Sequence, residues 1–218
     1  MALVEHRFTE YTPAERRFDH AVHLIGVPVG IIGAAWLVTE ICRIGNTRLI
    51  ATILIYATGL VGMLSASAAY HLTRPGRLKE LLRRADHAMI YVMIAGTYTP
   101  FALNVLEPPW GVVLCAAVWS MAAIGIALRL TFPHRFDRLA LALYLGMGWA
   151  MVFMIRPLVA RLPTESLALL VGGGLVYSLG ALIYTRDGLK FHTAVWHVMV
   201  LAAAVLHLTA LRAAFLSA

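Results

Sequence analysis

The sequence predicts an all-α integral membrane protein: a seven transmembrane helix bundle with its N-terminus cytoplasmic and its C-terminus outside. Three observations carry this expectation. Of 218 residues, 61% are hydrophobic and 13% charged, and the mean hydropathy is +0.78, far from the composition of a soluble domain. Seven mostly apolar stretches each have roughly the length of about 20 residues that a bilayer crossing requires. The 18 Lys and Arg residues fall mainly in alternate connections, as expected when basic residues concentrate in cytoplasmic loops.

In chain order the spans are expected at His20–Cys42, Leu49–Tyr70, Ala88–Val105, Trp110–Leu130, Leu139–Ile155, Ser166–Tyr184 and Thr193–Leu216. Residues 1–19 precede them as a cytoplasmic segment, and residues 20–218 make one transmembrane domain. Glu5, Arg7, Glu10, Glu15, Arg16, Arg17 and Asp19 interrupt any apolar core in that segment, so it reads as no cleavable signal peptide. Cys42 and Cys115 are isolated thiols without CxxC spacing and read as packing residues. Gly172, Gly173 and Gly174 in the sixth span permit close helix packing.

With the N-terminus inside, the cytoplasmic segments hold Arg7, Arg16, Arg17, Arg74, Arg77, Lys79, Arg83, Arg84, Arg129, Arg135, Arg138, Arg186 and Lys190. Only Arg43, Arg48, Arg156, Arg161 and Arg212 remain for the other side. The net charge of +7 then reflects this asymmetry and attraction to anionic lipid headgroups, and gives no reason to invoke nucleic acid.

Ionisable groups inside spanning helices are costly and usually mark a site. Ser67-Ala-Ala-Tyr-His71 closes the second span, Asp86-His87 opens the third, and His192-Thr-Ala-Val-Trp-His197 opens the seventh, all at the cytoplasmic face. Ser67 and His71 are four residues apart, about 40° around a helix, and can face one cavity. Imidazole is the commonest zinc ligand, and three protein ligands with an open position is the usual catalytic arrangement. His71, His192 and His197 are the candidate ligands, with Asp86 a general base or hydrogen-bonding neighbour and Ser67 orienting water or a substrate carbonyl. Against this stands the plainer role of histidines at helix ends, which cap carbonyls or sit among headgroups; His20, His134 and His207 fit it. Glu15, Asp19 and His23 form one stripe at four-residue steps, readable either as N-terminal capping or as lining of the site. His87 points about 100° from Asp86 and reads as structural, Tyr98, Thr99 and Pro100 as shaping the third span, and Trp110 and Trp149 as interface or packing aromatics.

Ser67-Ala-Ala-Tyr-His71, Ala85-Asp86-His87, Ala95-Gly-Thr-Tyr-Thr-Pro100 and Trp196-His197 resemble the signature blocks of the hemolysin III family. The resemblance runs from Tyr11 to Leu211 and includes Glu15, Asp19, His23, His134-Arg135-Phe136, Tyr144-Leu-Gly-Met-Gly-Trp149 and Val176-Tyr-Ser-Leu-Gly180. These bacterial proteins are similar to the progestin and adiponectin receptors and, more distantly, to alkaline ceramidases. The resemblance implies a seven-helix protein of the bacterial inner membrane with Zn2+ near the cytoplasmic face, bound by His71, His197 and a third ligand one turn before His197. The family pattern there is His-x-x-x-His, whereas this chain has Thr193 at that position and its histidine at 192. A regular helix turns residue 192 about 140° from residue 197, so ligation by His192 requires a π-bulge or a place in the turn before the helix.

The leading functional expectation is a zinc-dependent hydrolase of a lipid amide or ester, with membrane lipids as its partners. A lipid sensor or receptor would use the same pocket without turnover. A pore-forming hemolysin is suggested by the family name alone, no amphipathic pore-forming segment being visible. A transporter lacks acids or bases at mid-membrane depth to complete a relay.

Overall fold

A computed structural model of the chain describes residues 12–132, 137–186 and 188–216. Tyr11, the charged residues of the first ten positions and His134-Arg135-Phe136 lie outside this set. The described residues contain helices and no strand: α1 (Pro13–Ile44), α2 (Thr47–Leu72), α3 (Arg77–Asn104), α4 (Trp110–Thr131), α5 (Asp137–Trp149), α6 (Ile155–Arg161), α7 (Thr164–Tyr184) and α8 (His192–Leu216). Six stretches are long and apolar enough to cross a membrane, namely α1, α2, α4, Leu139–Arg161, α7 and α8. The apolar side chains they expose, such as Leu24, Ile32 and Phe153 at 64%, 70% and 86%, match a lipid surround rather than water.

The third expected span is the helix outside that group. α3 starts well before Ala88, with three turns containing Arg77, Lys79, Glu80, Arg83 and Arg84, and its apolar part carries Thr97, Tyr98, Thr99, Pro100 and Asn104. These polar groups are internally satisfied. Thr97 and Thr99 donate to the carbonyls of Met93 and Ala95, Trp119 donates to Thr99 Oγ1, and Asn104 donates to Thr52 Oγ1 on α2. α3 packs between α2 and α4. A Cβ on Gly59 would stand 3.3 Å from the Val92 carbonyl, and one on Gly96 3.4 Å from that of Ile55, so small residues let the α2 and α3 backbones approach closely.

The fifth expected span is broken. A 3-10 segment, Ala150–Met154, joins α5 to α6, where tighter i→i+3 bonding replaces the regular ladder. Tyr98 latches this break: its hydroxyl donates to the Gly148 carbonyl at 2.9 Å and accepts the Met151 N–H at 2.9 Å. Trp149 Nε1 donates to Ser178 Oγ on α7. Elsewhere α7 packs along α8, and α8 along α1, which returns to α2. The core at the centre of this arrangement includes Leu37, Ile53, Tyr56, Leu60, Phe101 and Leu211.

Candidate metal centre

The site begins with the first turn of α1. Thr12 Oγ1 accepts the Glu15 N–H, and the Glu15 carboxylate accepts from Thr12 N–H and Oγ1 at 2.9 and 2.7 Å. This capping box, with Pro13 behind it, starts the helix firmly. Asp19 and His23 follow at four-residue steps and are buried, at 3% and 5% exposure. The other oxygen of Glu15 accepts the Phe191 N–H at 2.9 Å. Phe191 has φ of 61°, a conformation uncommon outside glycine, in the turn that launches α8. Glu15 therefore caps α1, as one reading of its position had it, and also holds the turn before α8, while Asp19 and His23 of the same stripe enter the group.

His71 is the penultimate residue of α2, whose end is secured by Lys79 donating to the Tyr70 and Thr73 carbonyls at 2.9 Å each. α8 brings His197. Around the Asp19 carboxylate, Oδ1 lies 2.6 Å from His197 Nδ1 and 3.7 Å from His23 Nε2, while Oδ2 lies 2.9 Å from His71 Nδ1. The three imidazole centroids are 4.4 to 4.8 Å apart. One ligand atom from each of the four residues falls within a group no more than 4.8 Å across.

The fit to a metal ion rests on two features. Donors placed tetrahedrally at about 2.0–2.1 Å from zinc stand about 3.4 Å from one another, and the four residues each offer a ligand atom within 4.8 Å of the others. His23 Nε2 is buried without a hydrogen-bond partner, an arrangement that is costly unless something absent from the protein meets it. Three imidazoles and a carboxylate form a donor set whose chemistry suits zinc or a similar divalent ion.

The sequence-derived candidates separate here. His71 and His197 meet as expected. Asp86, on α3, is buried at 8% exposure and is not among the four residues of the group. Ser67 is buried at 9% exposure, one turn deeper on α2 than His71. His192 does not join the group. It is the first residue of α8, its Nδ1 lies 2.9 Å from the Leu189 carbonyl, and its ring neighbours Tyr184. α8 runs as regular helix from this residue, so the five-residue step to His197 turns it away. The buried side chain one turn before His197 is Thr193. The third imidazole in the group is instead His23, and the fourth donor is Asp19. Sequence reasoning left both unassigned because Asp19 meets His197 across 178 residues; the signal available was the four-residue stripe of Glu15, Asp19 and His23. His87 is structural in this fold, with Nδ1 at the Arg83 carbonyl and its own carbonyl accepting from Tyr144.

Comparison with known proteins gives the family. Residues 14–208 match the family described as Haemolysin-III related. The chain is 35% identical over 191 residues to a hemolysin-3 homolog of Bacillus subtilis, covering 88% of this chain and 90% of that one. It is 32% identical to hemolysin-3 of Bacillus cereus, with 89% of each chain covered. A human protein, the monocyte to macrophage differentiation factor, is 30% identical over 162 residues, 70% of this chain and 66% of its own.

Proposed function

The chain belongs to the Haemolysin-III related family, and from that premise we propose that it is a zinc-dependent hydrolase of a lipid amide or ester, working at the cytoplasmic end of its bundle. The observation that carries this reading is the group of Asp19, His23, His71 and His197 at one end of an otherwise apolar bundle, with Asp86 buried on α3. In this reading α3 is the third of seven spans and α5 with α6 the fifth, in a bacterial inner membrane. The distribution of basic residues supports a cytoplasmic N-terminus and an external C-terminus.

His71, His197 and His23 would hold the metal, three protein donors leaving room for water, and the ion when bound would lower the pKa of that water toward about 7 and polarise a carbonyl. Asp86 takes the proton from the attacking water, and Ser67 donates a hydrogen bond to the carbonyl oxygen as negative charge develops there. Asp19 holds the His71 and His197 rings through their Nδ1 atoms, fixing their orientation. The apolar interior receives the acyl chain.

A second reading has its own support. Four protein donors complete a tetrahedral sphere, the arrangement of structural rather than catalytic zinc, and would suit a lipid sensor without turnover. One experiment separates the two: metal content and lipid hydrolysis measured on purified wild type, His71→Ala and Asp86→Asn. The hydrolase reading expects about one zinc per chain in wild type and Asp86→Asn, none in His71→Ala, and turnover in wild type alone. Zinc without turnover of any amide or ester lipid would leave the sensor, and wild type without metal would remove both.

A further inference from the structure

A cavity lies at the other end of the bundle from the metal centre, where α3 ends, α4 begins and the broken fifth span finishes. Its volume is about 390 Å³, within the range of about 300–1,000 Å³ common for small-ligand pockets. The connection after α3 supplies Leu106 and Glu107, α4 supplies Trp110, and the 3-10 break with α6 supplies Phe153, Met154, Pro157 and Arg161.

The lining is of two kinds. Leu106 is buried, whereas Trp110 and Phe153 leave large apolar rings exposed at 59% and 86%. Phe153 and Met154 are the last two residues of the 3-10 segment, and irregular backbone within a span is tolerated where it lines a cavity. The polar part is one ion pair. Arg161 Nη2 donates to Glu107 Oε1, and Nη1 donates to the Val105 carbonyl at 3.0 Å, which ties the end of α6 to the end of α3. These bonds engage two of the five guanidinium N–H groups, and both charged side chains stay open to solvent.

We propose that this cavity binds a zwitterionic phospholipid of the outer leaflet, its phosphate on Arg161, its ammonium between Glu107 and the Trp110 ring, and its acyl chains along Phe153, Met154 and Pro157. Charge complementarity selects this occupant. The guanidinium has N–H donors to spare for phosphate oxygens, and a carboxylate beside an indole suits an ammonium group. Glu107 and Arg161 together are neutral, so a headgroup with a net negative charge brings that charge against Glu107, and an amphiphile with only a positive charge meets Arg161. Position agrees with a lipid. α4 begins at Trp110 and α6 ends at Arg161, so both stand where a span reaches the headgroup layer, the depth that Trp favours. The outer leaflet follows from the orientation proposed above, and the site makes no use of the metal centre.

The test is binding of dioctanoyl phosphatidylethanolamine, dioctanoyl phosphatidylglycerol and uncharged dioctanoylglycerol to the full chain in detergent micelles, followed by native mass spectrometry. Wild type is expected to bind one phosphatidylethanolamine about fivefold more tightly than either of the others, the value of an exposed ion pair. Glu107→Gln should level the two phospholipids, with helix content by circular dichroism unchanged. Phe153→Ala, at a side chain too exposed to hold the fold, should weaken all three lipids together and keep the preference. Equal affinity for the two phospholipids in wild type, or a preference that survives Glu107→Gln, overturns the headgroup site. Dioctanoylglycerol bound as tightly as phosphatidylethanolamine overturns it as well and leaves Trp110 and Phe153 as ordinary interfacial aromatics.

Discussion

The two sides of this bundle are held together by different means. Where α1, α2 and α8 meet, the contacts include buried charged and ring groups, with one carboxylate serving two imidazoles at 2.6 and 2.9 Å. Around α5 and α6, packing against the remaining helices is sparser, and a broken span is kept in place by the Tyr98 hydroxyl and the Trp149 indole. Apolar packing has no hydrophobic driving force between helices surrounded by lipid, so polar links and close small-residue contacts determine where a membrane bundle is firm. The firm corner contains the candidate metal centre, whereas α5 packs against α3, α4 and α7.

Five substitutions probe that division, beginning with the largest expected effect. His71→Ala or His197→Ala should take bound metal from about one ion per chain to nearly none, and should remove the dependence of thermal unfolding on added zinc. Retention of zinc by both variants would show that the corner is not a metal site. Asp19→Asn keeps the shape of the side chain but removes its charge, and should weaken metal affinity about 10- to 100-fold, measured by competition with a chelator. Tyr98→Phe strips both hydrogen bonds from the broken span and should cost about 1–3 kcal/mol of stability without lowering zinc content; a loss of metal here would mean the two sides are coupled. His192→Ala should change stability by less than about 0.5 kcal/mol and leave metal content as it is, in contrast to His197→Ala five residues later.

Much of the helical layout can be read from local sequence, because uninterrupted apolar runs bounded by basic or glycine-containing connections are a local property. α1, α2, α4, α7 and α8 all cover the expected stretches. The break at Ala150–Met154 contains neither Pro nor Gly, and the groups that hold it come from α3 and α7, so periodicity could not reveal it. The early start of α3 was hidden for a different reason: the charged turns before Ala88 resemble a loop until the His87 ring is seen to meet the Arg83 carbonyl and the Tyr144 hydroxyl to donate to the His87 carbonyl. At the site, His71 and His197 were legible from residue type and depth. Asp19 and His23 were visible only as a stripe with no destination, since helical spacing identifies a shared face but not the partner that covers it.

Phe191 bears on how the protein is made. Its amide, in the turn before α8, is held by Glu15 in the first turn of α1, and the next turns of α1 supply Asp19 and His23 to a group completed by His197. Chain synthesis proceeds from α1 to α8, so the carboxylate enters the bilayer long before its final partner has left the ribosome. The four-residue group is therefore complete only after α8 has inserted, and a chain arrested before that point carries in α1 a carboxylate that has not yet met its imidazole partner on α8.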